Sequence, residues 1–177
     1  MNFTELNLKR ESCRAYIEKE VDREISTQII KEALNAPSAC NSQPWKFVLC
    51  DGEKANDFTK FIKREGSKIN QWTDQVPCFI VLCETKAQLM ASLNCNSQKY
   101  AQYDAGLAAA TICYSARDKG LGTCIIGVFD EAGIKEYLSI PEDVKISLII
   151  TLGYPKHEEP RAKMRKDLDD VLSYNNW

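Results

Sequence analysis

Histidine is almost absent from this sequence, since His157 is the only one among 177 residues. It lies in a polar turn, a setting typical of a surface residue. A lone imidazole of this kind excludes a triad built on a histidine base, and it leaves no cluster suited to binding a metal ion. We therefore expect neither a histidine-based catalytic centre nor a metal site.

Other absences narrow the class of protein. The formal net charge is −2, so no basic excess suggests a nucleic-acid partner. No apolar run is long enough to cross a bilayer, and no signal peptide opens the chain, so we expect a cytoplasmic protein. None of the eight cysteines forms a C-x-x-C pair, which argues against a zinc ribbon or a thioredoxin-like site. Buried free thiols explain them best, and a disulfide framework is the weaker alternative.

The composition that remains is that of a packed globular protein. Hydrophobic residues make up 44% of the chain, which predicts one domain over residues 1–177 with a core of normal size. Hydrophobic periodicity and turn residues predict the secondary structure. The predicted helices are 1–9, 22–35, 53–64, 100–119 and 130–138, the predicted strands are 46–50, 78–83 and 145–152, and 122–129 contains a possible strand.

The stretch Ala36–Trp45, with the sequence APSACNSQPW, separates the second helix from the first strand. Pro37 disfavours helical geometry at Ala36, so the helix should stop there. The loop that follows is stiff, slim and rich in hydrogen-bonding groups, and it could lie against a flat ring. The alternative is an ordinary connection whose polar residues cap the neighbouring elements, and local physics alone favours that alternative.

Charged residues cluster near both ends of the chain. The run Arg10-Glu11-Ser12-Cys13-Arg14 could direct two guanidinium groups and a hydroxyl at a phosphate, although a solvated surface is the usual meaning of such a run. A second basic cluster at 161–166 precedes the apolar tail Leu168–Trp177, which should dock on something. The alanine-rich helix 100–119 should be buried, as the hub of the monomer or in a subunit interface, and Asp104 on it must be paired or lie at an exposed edge.

The order of these motifs resembles the flavin-dependent nitroreductase family over nearly the whole chain. The motifs are R-x-S-x-R, A-P-S-A-C-N-S-Q-P-W, G-L-G-T-C-I-I-G, I-P-E-D, L-G-Y-P and K-x-R before the apolar tail. The resemblance implies an α+β, three-layer fold with a central, mostly antiparallel sheet flanked by helices. It also implies a homodimer that exchanges its C-terminal tails and binds one FMN per subunit at the interface.

The resemblance further implies a set of cofactor-binding residues and no catalytic side chain, because the flavin carries the chemistry. Arg14 would lie at the pyrimidine edge of the ring, and Asn70 is a candidate for the ring's polar edge. The backbone of Ile126 and Gly127 would approach the nitrogen that accepts hydride. The phosphate would be held by Arg10, Ser12, Lys163 and Arg165, and the partner subunit would supply Pro37, Ser38, Ala39, Asn41 and, in the same box, Gln43.

The activity implied is hydride transfer from NAD(P)H through FMN to a small electron-poor acceptor, such as a nitroaromatic or a quinone, by ping-pong turnover. Two alternatives stay open at this point. The chain could store or sense flavin without significant turnover, or it could be a non-flavin α/β module whose motifs match by chance.

The sequence departs from the family pattern in two places. Glu11 stands where the family often has a basic residue, which puts an acid beside the expected phosphate site, and we expect no harm if its side chain turns outward. The segment between Thr85 and Tyr100 is compact, so we expect it to lack the long helical lid of larger relatives. That expectation argues against the lid-dependent dehalogenating members.

Overall fold

The computed structural model describes residues 1–64, 66–87, 89–90 and 95–177 of the chain. Its helices are α1 (Phe3–Lys9), α2 (Arg23–Ala33), α3 (Glu53–Phe58), α4 (Ala101–Asp118) and α5 (Glu131–Leu138). Its strands are β1 (Trp45–Asp51), β2 (Cys78–Glu84), β3 (Leu89–Met90), β4 (Cys95–Asn96), β5 (Gly122–Ile126) and β6 (Lys145–Gly153). The predicted elements are present, and α3 is the one that is clearly shorter than expected.

The main sheet has four strands in the order β1-β2-β6-β5, and every neighbouring pair is antiparallel. Strand β2 is central and apolar throughout, with Phe79, Ile80, Val81 and Leu82 fully buried. Both faces of the sheet must therefore be covered, as the unbroken apolar run of β2 predicted. This architecture confirms the expected α+β fold with an antiparallel sheet flanked by helices.

Two hydrophobic layers cover the sheet, one on each face. On one face α2 and α4 pack on Ile80 and Ile150, and on the other α3 and α5 pack on Phe79 and Ile149. Five alanines of α4 are buried, so their small side chains let this helix lie close to its neighbours (Ala101, Ala105, Ala108, Ala109 and Ala116). Helix α4 is thus a hub of the monomer, which is one of the two roles that the sequence predicted for it.

The opposite side of α4 carries apolar side chains that its own protomer leaves uncovered. Tyr103 is 71% exposed and Leu107 is 44% exposed. The neighbouring helix α1 adds Phe3 and Leu8, which are also exposed, and Phe3 contacts the ring of Tyr114 at a centroid distance of 5.7 Å. These side chains form one apolar surface beside the hub, the kind of surface that marks a protein–protein contact.

The N-terminal segment Glu11–Ile17 runs beside the end of the sheet. Cys13 donates its backbone N–H to Thr123 of β5 at 2.8 Å, and Ile17 donates to the carbonyl of Tyr154 at 3.0 Å. A side chain at Gly122 would stand 2.8 Å from both Cβ and Sγ of Cys13, so the glycine is needed for this close approach. The segment with the R-x-S-x-R motif is therefore held firmly against the core.

The C-terminal tail after Pro155 has no regular structure except a short 3-10 turn at Leu168–Asp170. Its apolar side chains are exposed, and none of them is less than 40% accessible (Leu168, Val171, Leu172, Tyr174 and Trp177). The tail's own protomer therefore does not provide the docking surface that its composition predicts.

The described residues also bear on what the sequence predicted for the cysteines, for membrane spans, for metal binding and for the lid. Seven of the eight cysteines are free thiols, and six of these seven are buried. Within the described part of the chain, no helix combines the length and apolar character needed to cross a membrane, and no group of three or more His, Cys, Asp or Glu side chains is placed to hold a metal ion. The expected lack of a lid between Thr85 and Tyr100 falls partly on residues 88 and 91–94, which lie outside the described residues.

Candidate cofactor site

The two ends of the chain bring their cations together beside α1. Lys163 donates from Nζ to the carbonyl oxygen of Asn7 in α1 at 2.6 Å. The pKa of Lys163 is lowered, first by partial burial and then by the positive charges of Arg10 and Arg165. The hydrogen bond places Lys163 at the C-terminal end of α1, which Arg10 directly follows, and Ser12 lies in the same segment as Arg10.

Few of these cations have a partner within the protein. Among the described residues, neither Arg10 nor Arg14 makes an ion pair or a side-chain hydrogen bond, and Arg165 donates to the neighbouring carbonyl of Met164 at 2.7 Å. A cluster of cations without counter-charge repels itself and is relieved by a bound anion. A phosphate monoester carries close to two negative charges near neutral pH. The donor set thus fits the phosphate of FMN.

The side chain of Glu11 does not turn outward, a direction that the sequence left open. Its side chain is 19% exposed, and Oε2 accepts a hydrogen bond from Nε of Arg161 at 2.9 Å. Arg161 also donates from its terminal nitrogen to the carbonyl of Ser12 at 2.6 Å. The acid beside the expected phosphate site is therefore neutralised by a cation that the motif comparison did not assign. The signal for Arg161 was its place two residues before Lys163.

The loop between α2 and β1 has an unusual backbone. Cys40, Asn41 and Gln43 all have positive φ, between 46° and 55°, which is uncommon for residues other than glycine. The loop's own polar groups hold this shape, because Gln43 donates its N–H to Ser38 Oγ at 3.0 Å and Ser42 donates from Oγ to Ala39 at 2.7 Å. These hydrogen bonds lie within the loop itself, and neither of them caps α2 or β1.

Asp104 of α4 ties this loop to the core. Its side chain is 3% exposed, and Oδ1 accepts the backbone N–H of Ala39 at 3.1 Å. The other oxygen, Oδ2, is buried without a hydrogen-bond partner among the described residues. The sequence required this aspartate to be paired or exposed, and the structure shows that it is paired through one oxygen.

The end of β5 leaves open space in front of its backbone. Ile126 is 4% exposed, and a Cβ built at Gly127 meets no atom within 4 Å. The φ of Gly127 is not positive, so its conformation does not require glycine. Asn70 lies beside this place, since Nδ2 donates to the carbonyls of Ile62 at 3.0 Å and Val128 at 3.4 Å. The structure thus brings Asn70 to the end of β5, beside the open space at Gly127.

The loop with Pro37 to Gln43 and the cations of the chain ends are attached to different helices. The loop is attached to α4 through Asp104, whereas Lys163 is attached to α1 through Asn7.

The chain is similar in sequence to known proteins. The sequence model described as the nitroreductase family matches residues 8–154. A protein of Archaeoglobus fulgidus, provisionally named NADH dehydrogenase/NAD(P)H nitroreductase, is 30% identical over 157 residues, which are 85% of this chain and 83% of that protein.

Solved structures agree in fold along the chain. A nitroreductase family protein from Streptococcus pneumoniae has a TM-score of 0.85 at 26% identity and covers 98% of this chain and 100% of its own. An FMN-dependent nitroreductase from Clostridium difficile has a TM-score of 0.76 at 26% identity, with 97% and 98% covered. Because the family model spans most of its length, the chain belongs to the nitroreductase family and is an oxidoreductase.

Proposed function

We propose that this protein is an FMN-dependent oxidoreductase that passes hydride from NAD(P)H to small electron-poor acceptors such as nitroaromatics or quinones. The observation that carries the proposal is the hydrogen bond from Lys163 to Asn7, which brings the cations of the tail to the helix that Arg10 follows. FMN, when bound, supplies the acceptance and release of hydride, and the protein supplies binding, orientation and electrostatics.

In this proposal the cations at the chain ends bind the phosphate, together with the hydroxyl of Ser12. Charge-assisted hydrogen bonds of this type are the strong ones, and guanidinium groups can bind two phosphate oxygens at once. Arg14 is exposed in the same segment and would lie at the pyrimidine edge of the ring. A positive charge there favours negative charge arriving on the ring and thereby raises the reduction potential.

The ring would lie along the open space at the end of β5. The backbone N–H groups of Ile126 and Gly127 would point at the nitrogen that accepts hydride, and Asn70 would contact the polar edge. The slim loop of a second copy would cover the ring and the ribityl chain with its small and amide side chains (Pro37, Ser38, Ala39, Asn41 and Gln43).

This arrangement needs a homodimer. Tyr103 and Leu107 of α4, with Phe3 and Leu8 of α1, offer an uncovered apolar surface, and the tail Leu168–Trp177 offers another. Burying both against a second copy would remove them from water and would bring each loop to the partner's cation cluster. We propose that residues 1–177 act as one FMN-binding domain in such a dimer.

The nicotinamide donor and the acceptor would use the same open face in turn, which gives ping-pong turnover.

The test is the visible absorbance of the purified protein, followed by steady-state oxidation of NADH and NADPH with a quinone and a nitroaromatic acceptor. Bound flavin with parallel double-reciprocal lines supports the proposal. Bound flavin without turnover over a broad acceptor panel would favour flavin storage or sensing. A protein that stays colourless and monomeric after reconstitution with FMN would overturn the assignment.

A further inference from the structure

Arg161 attaches the start of the tail to the N-terminal segment through three hydrogen bonds. Its Nε lies 2.9 Å from Glu11 Oε2, and its backbone N–H lies 3.3 Å from the same oxygen. Its terminal nitrogen donates to the carbonyl of Ser12 at 2.6 Å. One carboxylate oxygen thus receives both the side chain and the backbone of one residue, which fixes the position of the chain as well as that of the guanidinium.

The two residues stand next to the expected phosphate ligands in both segments. Glu11 lies between Arg10 and Ser12, and Arg161 lies two residues before Lys163. The tail here has no regular structure, so side-chain contacts fix its course. The other contacts that hold it are Lys163 to the carbonyl of Asn7 at 2.6 Å and Arg117 to the carbonyl of Glu158 at 3.3 Å.

We propose that Glu11 is a positioning residue: its pairing with Arg161 latches the tail across the N-terminal segment and so places Lys163 and Arg165 beside Arg10, which sets the affinity for the phosphate of FMN. The inference rests on the proposed function, and it gives a role to the one residue of the R-x-S-x-R segment that departs from the family pattern.

Simple electrostatics makes the opposite prediction for Glu11. A carboxylate near a phosphate repels it, so replacing Glu11 by a neutral residue would tighten FMN binding if long-range charge were the only effect. If the carboxylate instead holds the tail in place, its loss weakens FMN binding despite the removal of a negative charge. The sign of the change therefore separates the two explanations.

The experiment is a double-mutant cycle on apoprotein, with FMN affinity measured by quenching of flavin fluorescence. We expect Glu11→Gln and Arg161→Met each to weaken FMN binding about threefold to fivefold, the effect of an ion pair near the protein surface. The double variant should be about as weak as the weaker single variant, because both changes break the same contact. Tighter binding by Glu11→Gln, or effects of the two changes that simply add, would overturn the latch.

Riboflavin, which is FMN without the phosphate, is the control ligand. The latch acts only through the phosphate cations, so riboflavin affinity should be the same in all four proteins. Equal losses for FMN and riboflavin would point to general damage to the fold and would contradict the proposal. Such damage is not expected from Arg161→Met, since the side chain of Arg161 is 62% exposed.

Glu159→Gln is the matched protein control. It makes the same chemical change on an exposed acid of the same tail, two residues from Arg161 and outside the pair. We expect it to leave FMN affinity within twofold of the wild type. A loss as large as that of Glu11→Gln would show that any charge change in this region has the same effect, which overturns the proposal.

A readout without flavin separates failure of the latch from failure of the proposed function. The backbone N–H of Arg161 is donated to Glu11, so amide hydrogen exchange over residues 158–166 of the apoprotein should be faster in Glu11→Gln than in the wild type or Glu159→Gln. Unchanged exchange would refute the latch whether or not FMN binds. Faster exchange in a protein that never binds FMN would support the latch and refute the proposed function.

Discussion

At the scale of single residues, Asp104 shows how a buried polar group fixes a loop. Its Oδ1 is the acceptor for Ala39, in a loop where three non-glycine residues have positive φ. We expect Asp104→Ala to lower the free energy of unfolding by about 1–3 kcal/mol, because the N–H of Ala39 loses its acceptor in a part-buried hydrogen bond. Asp104→Asn keeps an oxygen acceptor and should cost less. Urea unfolding of both variants measures the difference, and an equal loss would contradict a role for this hydrogen bond.

Gly127 and Gly122 form a contrasting pair of glycines. No atom lies within 4 Å of a Cβ placed at Gly127, whereas a Cβ at Gly122 meets Cys13 at 2.8 Å. We expect Gly127→Ala to keep the melting temperature of the apoprotein but to weaken FMN binding at least tenfold, because the methyl group enters the space proposed for the ring. Calorimetry and flavin titration on the same sample test this expectation.

Gly122→Ala is the matched control for that experiment. It should destabilise the fold by about 1–3 kcal/mol through overpacking against Cys13. If Gly127→Ala kept full FMN affinity, the ring would not lie at the end of β5.

The cations of the two chain ends give a direct test of the phosphate assignment. Arg10→Ala and Arg165→Ala should each weaken FMN binding by roughly 1.5–3 kcal/mol, the usual contribution of a charged hydrogen bond. Lys166→Ala, a neighbouring exposed cation outside the assignment, is the control. Unchanged flavin retention in both arginine variants would remove the assignment.

At the scale of elements, one ion pair joins α2 to the end of α4. Lys119 lies 2.5 Å from Glu32, and Ser115 also donates to the carboxylate. The hydrogen bond from Lys119, followed by that from Ser115, lowers the pKa of Glu32 from 4.5 to about 2. Because the folded pKa is depressed, the stabilisation is present above pH 4.5 and is lost as the pH falls towards 2.

We therefore expect the free energy of unfolding to decrease as the pH falls from 4.5 towards 2. The Glu32→Gln variant should show a smaller dependence of this free energy on pH. The side chain of Glu32 is 37% exposed, so solvent screens part of the effect. Asp51 and Glu131 also have lowered pKa values and contribute to the same window, so the informative quantity is the difference between variant and wild type. Parallel curves for the two proteins from urea unfolding would contradict the role of this pair.

Hydrophobic periodicity predicted the wrong length for α3. Apolar residues at positions 58, 61 and 62 predicted a helix through Arg64, but α3 ends at Phe58 and continues as a 3-10 turn over Thr59–Phe61. A 3-10 turn brings residues three apart onto one side, and the rings of Phe58 and Phe61 are indeed 6.2 Å apart. Spacing of three fits both kinds of helix, so packing against the sheet decided between them.

At the scale of the whole molecule, the uncovered apolar tail predicts a coupling between assembly and cofactor binding. Deletion of Leu168–Trp177 removes apolar side chains that the protomer leaves exposed, and it should loosen the dimer and release flavin together. Sedimentation and flavin absorbance over a concentration series measure both properties. A deletion variant that stayed dimeric and kept its flavin would show that the tail has another role.

Much of the fold could be read from the sequence because it depends on local properties. The unbroken apolar run of β2 required cover on both faces. Asp22 and Asp130 cap α2 and α5 with side chains of the type that caps helices, and Gly120 ends α4 with a φ of 78°. The candidate site could be assembled only through motif order, because no single motif specified its chemistry. Arg161 was missed and the direction of the Glu11 side chain stayed open, since the contact between them spans 150 residues of chain.

By itself the sequence determined where helices and strands form, which strand is buried on both faces and, through the order of its motifs, the family. The tertiary structure alone decided which charges meet. Hydrophobic periodicity and turn chemistry act over a few residues and are written into the local chain. The pairing of Glu11 with Arg161, and the gathering of Arg10 with Lys163 and Arg165, exist only because the folded sheet and α1 bring the two chain ends to the same place.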